Sequence, residues 1–395
     1  MPVFLLSVFT VGAAIAQPVN YIVGKVINEK TGEGIPNASI FSTNTSKGTV
    51  SNNKGEFELM NVPEGTYDLV VSCIGYETFA YTYKRSQLPL RLQVNMTNKT
   101  EELQTVVIEP YEKDGWKKWG PFFLENFIGT SANARKCTIN NYKTLRFRHA
   151  KKKNQLTVTA GEPLIIENLA LGYKIQYQLE GFTYNFTDNI LQYAGYTLFD
   201  ELNKAGPKKR QANNREKAYQ GSITHFMSSL YNNRLIEEGF ELKRLYKKPN
   251  LEKARVKKIY ALIKGTNAIN RINPDSSTYY EGVLRQPDEI ETYGKALLTA
   301  DSLVVARDSA NKQLFFNNYL DVFYKKEKED IEYLQSLHEK RPPWYQHSVV
   351  FLNNGRAILM DAKGNYAMPL DFMSYGYWSW SEKIATLLPL DYKKD

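Results

Sequence analysis

Asn52-Asn53-Lys54-Gly55-Glu56-Phe57-Glu58-Leu59 and, a few residues on, Pro63-Glu64-Gly65-Thr66-Tyr67-Asp68-Leu69 decide how the first part of this chain folds. Each segment is a turn followed by a strand. Asn and Gly accept the positive φ that tight reversals need, and Pro presets the φ of a turn. Period-two alternation then puts Phe57 with Leu59 on one face, and Tyr67 with Leu69 and Val71 on another. Working outward, Tyr21 to Ile27 reads as a strand and Asn28 to Gly34 as a turn. Pro36 precedes a strand at Ala38 to Phe41, and Gly48 to Ser51 leads into the Asn-rich turn. Downstream, Leu90, Leu92, Val94 and Met96 alternate within Leu88 to Met96. Turn signals recur roughly every ten residues, the rhythm of an all-β sandwich rather than of βαβ units.

These residues also carry a family resemblance. Gly24-x-Val26, Gly32-Glu33-Gly34-Ile35-Pro36-x-Ala38, Gly48-Thr49, Asn52-x-x-Gly55-x-Phe57-x-Leu59, Pro63-x-Gly65-x-Tyr67-x-Leu69 and Gly75-Tyr76 together resemble the carboxypeptidase regulatory-like domain. The resemblance implies a transthyretin-like, Ig-like sandwich over residues 20–110. It implies no peptidase chemistry, since this module accompanies catalytic domains without supplying their residues. The same module stands at the N-terminus of TonB-dependent outer-membrane transporters and of many envelope proteins of unassigned role. Leu103 to Pro110 is similar to the strand that follows it in those transporters. What comes next differs from them: there is no plug-like segment, and the chain is too short for a 22-stranded barrel.

Residues 1–16 are apolar and end Ala14-Ile15-Ala16, small residues placed as signal peptidase requires, so they read as a signal peptide. No Lys or Arg precedes the run, which departs from the usual leader; the rival reading is an N-terminal strand of a cytosolic protein. The run is too short to span a bilayer, and no later run reaches the roughly 20 apolar residues a membrane helix needs. No cysteine follows the cleavage point, so the usual lipoprotein attachment is missing. The two cysteines, Cys73 and Cys137, fall in different predicted domains, and free thiols are the expected state. The net charge of +9 is spread over short clusters such as Lys151-Lys152-Lys153 and Lys208-Lys209-Arg210. A nucleic-acid binder would gather them into one stripe, so no nucleic-acid partner is expected.

Past the sandwich, residues 111–136 read as an aromatic linker with a docking helix, where Trp116, Trp119, Phe122, Phe123 and Phe127 cluster around Pro121. Residues 137–395 read as an α+β domain rich in antiparallel strand. Leu145 to Arg148 and Leu156 to Thr159 flank a Lys/Asn turn as a hairpin. Further strands are expected at Leu164 to Asn168, Tyr173 to Leu179, Phe182 to Phe186 and Leu191 to Phe199. A polar loop spans Asn203 to Asn214. Arg215 to Ile236 reads as one long helix with an apolar stripe of Tyr219, Ile223, Phe226, Met227 and Leu230, and with Ser222, His225, Ser229 and Asn232 away from it. Strands are expected at Phe240 to Leu242, Ile259 to Gly265, Gly282 to Arg285 and Leu297 to Val305, and a charged helix at Glu327 to Glu339; Leu314 to Tyr324 alternates loosely and fits strand or helix, with strand the preferred reading. Asn353-Asn354-Gly355 should turn a hairpin between Ser348 to Leu352 and Ala357 to Met360. A short helix is expected at Glu382 to Leu388.

The sequence names no catalytic, cofactor-binding or metal-binding residue. None of His149, His225, His338 or His347 is followed by Glu at the spacing zinc peptidases use. Gly129-Thr130-Ser131-Ala132-Asn133 lacks the second glycine of a nucleophile elbow. Phosphate loops are absent, and Cys137 has no neighbouring His. Glycosidases need only two close carboxylates, which sequence cannot exclude; Asp188, Asp200, Glu201, Asp321 and Asp371 are the acids to locate. The compositional excess is aromatic, with 27 Tyr, 19 Phe and 5 Trp. Such rings fill cores, but exposed ones stack sugars, and Trp344-Tyr345 and Tyr375 to Trp380 are the places to look.

The expected protein is extracytoplasmic, in the periplasm or at the outer-membrane surface of a Gram-negative bacterium. It reads as a non-catalytic binding or structural module without cofactors, its ligand a glycan or another envelope protein. Two alternatives stand beside this reading: a hydrolase of envelope polysaccharide or peptide, and an accessory of a TonB-dependent transporter.

Overall fold

The computed structural model describes residues 20–63, 65–99, 110–203, 205–265, 274–308, 311–367 and 369–392. The signal peptide read at residues 1–16, and all but Pro110 of the strand read at Leu103 to Pro110, lie outside them. The chain divides into two compact units: Met1–Val107 with Tyr196–Phe199, and Ile108–Gly195 with Asp200–Asp395.

The first unit is the sandwich. Its strands are β1 (Tyr21–Asn28), β2 (Ser39–Ser42), β3 (Gly48–Val50), β4 (Glu56–Met60), β5 (Thr66–Ser72), β6 (Phe79–Lys84) and β7 (Leu90–Met96). One sheet runs β4-β1-β7 and the other β3-β2-β5-β6. The β1–β7 pair is parallel and the others are antiparallel. The expected alternation holds: Phe57 and Leu59 are buried while Glu56 and Glu58 are exposed. The inner faces meet through Ile22, Val26, Val94, Ile40, Leu69 and Tyr83, all fully buried. β6 is the strand sequence reading missed. Thr, Lys and Tyr dominate it and Tyr83 alone is buried, so it lacks the aliphatic rhythm that marks its neighbours. Tyr196–Phe199 belongs to this unit, and its Leu198 packs with Phe41 and Val70.

In the second unit α1 (Gly115–Phe127) lays Phe123 and Phe127 onto a six-stranded sheet. Phe123 lies 5.0 Å from Phe182 and meets Phe147 edge-on at 6.0 Å. The sheet holds β8 (Cys137–Ile139), β9 (Leu145–Ala150), β10 (Gln155–Ala160), β11 (Leu164–Asn168), β12 (Tyr173–Asn185) and β13 (Ile190–Glu201), in the order β8-β11-β12-β10-β9 with β13 on β12. The β9–β10 hairpin is as expected, with Asn154 left-handed at its turn.

The long helix read from Arg215 to Ile236 is three: α2 (Lys209–Tyr219), α3 (Ile223–Tyr231) and α4 (Leu235–Glu238). Gly221 (φ 72°) and Asn233 (φ 54°) break it, and α2 begins inside the segment read as a loop. Ile223, Phe226, Met227 and Leu230 do form the buried stripe, but His225 and Ser229 are buried too. A helix enclosed on more than one side buries more than its apolar stripe.

Then come β14 (Phe240–Pro249), α5 (Leu251–Gly265), α6 (Pro274–Arg285), β15 (Glu289–Tyr293), β16 (Val304–Ala306), β17 (Asn311–Leu314), β18 (Tyr319–Lys328), α7 (Ile331–Ser336), β19 (Tyr345–Leu352), β20 (Ile358–Asp361), β21 (Phe372–Gly376) and α8 (Tyr377–Ser381). Five strands form the sheet β15-β14-β18-β19-β21 and three form β16-β17-β20. Its core gathers the α3 stripe, Phe240 and Leu242 of β14, Val322 of β18, and Trp378 of α8.

Several expectations are corrected here. Ile259 to Gly265 and Gly282 to Arg285 are helical, not extended. Asn250 Oδ1 caps α5 by accepting the Lys253 N–H at 3.0 Å, and the Ala, Lys and Arg that follow favour helix over a short β-branched run. Leu297 to Val305 is irregular to Thr299 and a 3-10 turn at Ala300–Ser302, extended only from Val304. Leu314 to Tyr324 splits between β17 and β18, in different sheets. The charged helix is only α7, because Glu327 and Lys328 belong to β18. Asn354 and Gly355 are left-handed as expected, yet no hairpin forms: β19 pairs with β18 and β21, and β20 with β17. The C-terminal helix is the aromatic group itself, α8, with a 3-10 turn at Ile384–Thr386. Both cysteines are free. Among the described residues no helix is long and apolar enough to cross a membrane.

Candidate functional site

Each acid noted from sequence is bound to a donor, and only Asp200 and Glu201 share an element, the end of β13. Asp188 accepts from Asn185 and the Ile190 N–H in the β12–β13 turn. Asp200 accepts from Gln176, and Glu201 takes both ends of the Arg215 guanidinium at 2.8 and 2.7 Å. Buried Asp321 accepts from His347, and Asp371 from Asn354. Cys137 donates to the Asn133 carbonyl, and burial pushes its thiol up to about 12, far from a nucleophilic thiolate at neutral pH. The Ser131 hydroxyl accepts from the Ala134 N–H. His149 packs against Trp119 and Phe186, and His338 is exposed. Among the described residues no three His, Cys, Asp or Glu groups are placed to hold a metal.

A sheet face assembles what sequence left scattered. In the five-stranded sheet, Phe240, Leu242, Val322 and Val350 face the core. The alternate positions, Lys243 and Lys247 of β14, Tyr319, Asp321 and Phe323 of β18, His347 and Phe351 of β19, and Tyr375 of β21, line the opposite face. There Phe323 and His347 stack at 4.4 Å. Lys325 lies 5.2 Å from the Phe323 ring and 4.5 Å from Tyr345, and Tyr345 meets Trp344 edge-on at 5.4 Å. Trp344 is 61% exposed. Further along, the Lys247 ammonium sits 4.8 Å from the Tyr375 ring and 5.2 Å from Tyr319. Burial opposes its charge, but Tyr375 and Glu291 hold its pKa above the ordinary lysine value.

Two lysines of this face are paired: Lys247 with Glu291 at 3.0 Å and Lys325 with Glu241 at 3.4 Å. Rings thus alternate with paired lysines along this face. Of the aromatic groups read from sequence, Trp344, Tyr345 and Tyr375 join it, whereas Tyr377 and Trp378 turn into the core. The missed contributors, Phe323, Tyr319 and Phe351, become a set only through strand register, which no local pattern reveals.

On the other side of this sheet's core, a cavity of about 540 Å³ lies against α2, α3, α4 and the C-terminal segment. His225 lines it without an open basic nitrogen. The Gly221 N–H donates to Nδ1 at 3.1 Å, which leaves Nε2 as the N–H facing Glu238 at 3.3 Å. Glu238 also pairs with Arg234 at 2.6 Å. The nearby hydroxyls hold backbone: Ser222 accepts the His225 N–H, and Ser229 donates to the His225 carbonyl. A base whose lone pair is filled by a main-chain N–H has nothing with which to activate a nucleophile.

The sandwich in turn matches a family. The match runs from Ile22 to residue 108 and takes in strands β2 to β7 and nearly all of β1. Residues 22–108 are a CarboxypepD_reg-like domain. The CarboxypepD_reg-like domain is the β-sandwich described above, at the N-terminus of the chain. No curated protein matches the chain. Among solved structures, the chain is similar to a protein of Bacteroides uniformis ATCC 8492 provisionally assigned as carbohydrate binding, at 13% identity over 46% of this chain and 79% of that one. A membrane-associated protein of unknown function from Bacteroides fragilis NCTC 9343, so assigned provisionally, aligns at 10% identity over 90% of this chain and 94% of that one. A 9R-lipoxygenase from Cyanothece PCC8801 aligns at 8% identity over 59% and 51%. All three superpose with a TM-score of 0.16 and carry no argument here.

Proposed function

We propose that this is a non-catalytic binding module of the Gram-negative envelope, acting outside the cytoplasm, whose larger unit takes a neutral glycan on the aromatic sheet face. The observation that carries this reading is the run Trp344, Tyr345, Phe323 and His347, whose rings flank charges already paired. A sugar's apolar face presents C–H groups that fit the negative face of such rings. Its hydroxyls can bond to the charge-bearing side chains at the margin. An ionic ligand would first have to break Lys325–Glu241 or Lys247–Glu291. The regulatory-like sandwich and the leader-like residues 1–16 support the compartment.

The test is a glycan array on the folded protein, followed by calorimetry on any hit. Trp344→Ala and Phe323→Ala should each weaken binding by about 0.5–1.5 kcal/mol, roughly twofold to twelvefold. An empty array, or a hit indifferent to both substitutions, removes the reading.

A further inference from the structure

We propose that the cavity between α2–α4 and the C-terminal segment is a binding site for an organic ammonium ion, with the Glu382 carboxylate as its anchor. The volume, about 540 Å³, suits a small molecule. Glu382 lines it with Oε1 accepting the Ile223 N–H at 3.2 Å, at the first turn of α3. No Lys, Arg or His nitrogen forms an ion pair with it among the described residues. The arginine on the same wall is already committed: Arg234 takes Glu237 at 3.0 Å and Glu238 at 2.6 Å. Lys363, the other cation on the wall, forms no ion pair with Glu382 among the described residues and is not among the groups that shift it, so the completing positive charge is assigned to the ligand.

Two tyrosines, Tyr219 and Tyr392, line the same cavity with ring centroids 6.3 Å apart. Aromatic rings and a carboxylate lining one cavity are the combination that holds alkylated ammonium groups, by cation–π attraction and charge together. Leu387, Leu388 and Pro389 give the apolar wall for the carbon substituents. Burial raises Glu382 to about 7, with the Ile223 N–H and Lys383 offsetting only part of the rise, as expected of a carboxyl short of a counter-charge. Facing it are Lys383 along the chain, Tyr193 and Tyr366, both raised chiefly by burial, and Lys363 and Asp391 on the cavity wall.

The test uses the full chain and two probes of one shape, choline and neutral 3,3-dimethylbutan-1-ol, in calorimetric titrations. Choline should bind at least about tenfold more tightly than the alcohol at pH 8. Its affinity should fall as the pH drops below 7, approaching roughly tenfold per unit once the carboxyl is protonated. Glu382→Gln, which keeps the shape and removes a burdened charge, should erase the preference for choline while leaving the fold intact by circular dichroism. Tyr392→Leu should weaken choline while retaining some preference. Equal affinity for the two probes, a preference that survives Glu382→Gln, or no choline binding at millimolar concentration would overturn the proposal. The glycan face shares none of these residues, so either reading can fail without the other.

Discussion

Glu382 and its neighbour Lys383 set opposite limbs of a pH profile. Burial raises Glu382 from about 4.5 to about 7, so the folded chain holds a proton there that the unfolded chain has released. Between those values its contribution to stability declines as pH rises. Burial likewise lowers Lys383 from about 10.5 to about 8. Above pH 8 the folded chain has lost a proton that the unfolded chain keeps, and stability from this group climbs with pH. The pair is thus least favourable between about pH 7 and 8, where both charges are buried. Glu382→Gln is expected to stabilise the protein at pH 8, with a gain that grows from pH 5 to 7 and then levels. Urea midpoints of the two proteins across that range decide it; a gain independent of pH would show that Glu382 is not held protonated.

Gly221 breaks what would otherwise be one helix. A Cβ at Gly221 would lie 2.4 Å from Gln346 Oε1 and 2.7 Å from Tyr324 Cδ1, on a backbone with φ of 72°. Its carbonyl accepts the Trp378 Nε1–H at 2.7 Å, and its own N–H fixes the His225 tautomer. Gly221→Ala should therefore cost about 2–4 kcal/mol, read as a lower denaturation midpoint. This break also shows where sequence reading stops. The stripe from Ile223 to Leu230 was legible because helical periodicity is local. Its interruption depends on Tyr324 and Gln346, a hundred residues away, and no window across Arg215 to Ile236 contains them. The sandwich was legible for the converse reason, since its turns carry their own Asn, Gly and Pro. The turn at Asn353–Gly355 was read correctly in conformation and wrongly in consequence, because backbone preference fixes a bend but not which sheet receives the next strand. The aromatic face was half visible: Trp344, Tyr345 and Tyr375 stood out as clusters, while Phe323 needed the β18–β19 register.

At the scale of the molecule, the net charge of +9 and an isoelectric point near 9.1 give mutual repulsion at neutral pH. The edge strand β15 is exposed along its whole length, with Ile290 and Tyr293 among its exposed side chains. Glu289 and Glu291 flank that edge, the charged guard that discourages strand-to-strand association. As pH approaches 9 the general repulsion vanishes and only this local guard remains. Light scattering should show association rising toward pH 9, and Glu291→Val should shift its onset to lower pH. Identical onsets in the two proteins would mean the edge takes no part.

Tyr196–Phe199 gives the first unit an unusual timetable. Its seven strands are all translated by Met96, yet Phe41 and Val70 wait for Leu198. Roughly ninety residues separate Val107 from Tyr196. At a ribosomal pace of about 5–20 residues per second, that is on the order of ten seconds. Through that interval the nascent sandwich carries an uncovered apolar spot, and chaperones that attend emerging chains would find their hold there.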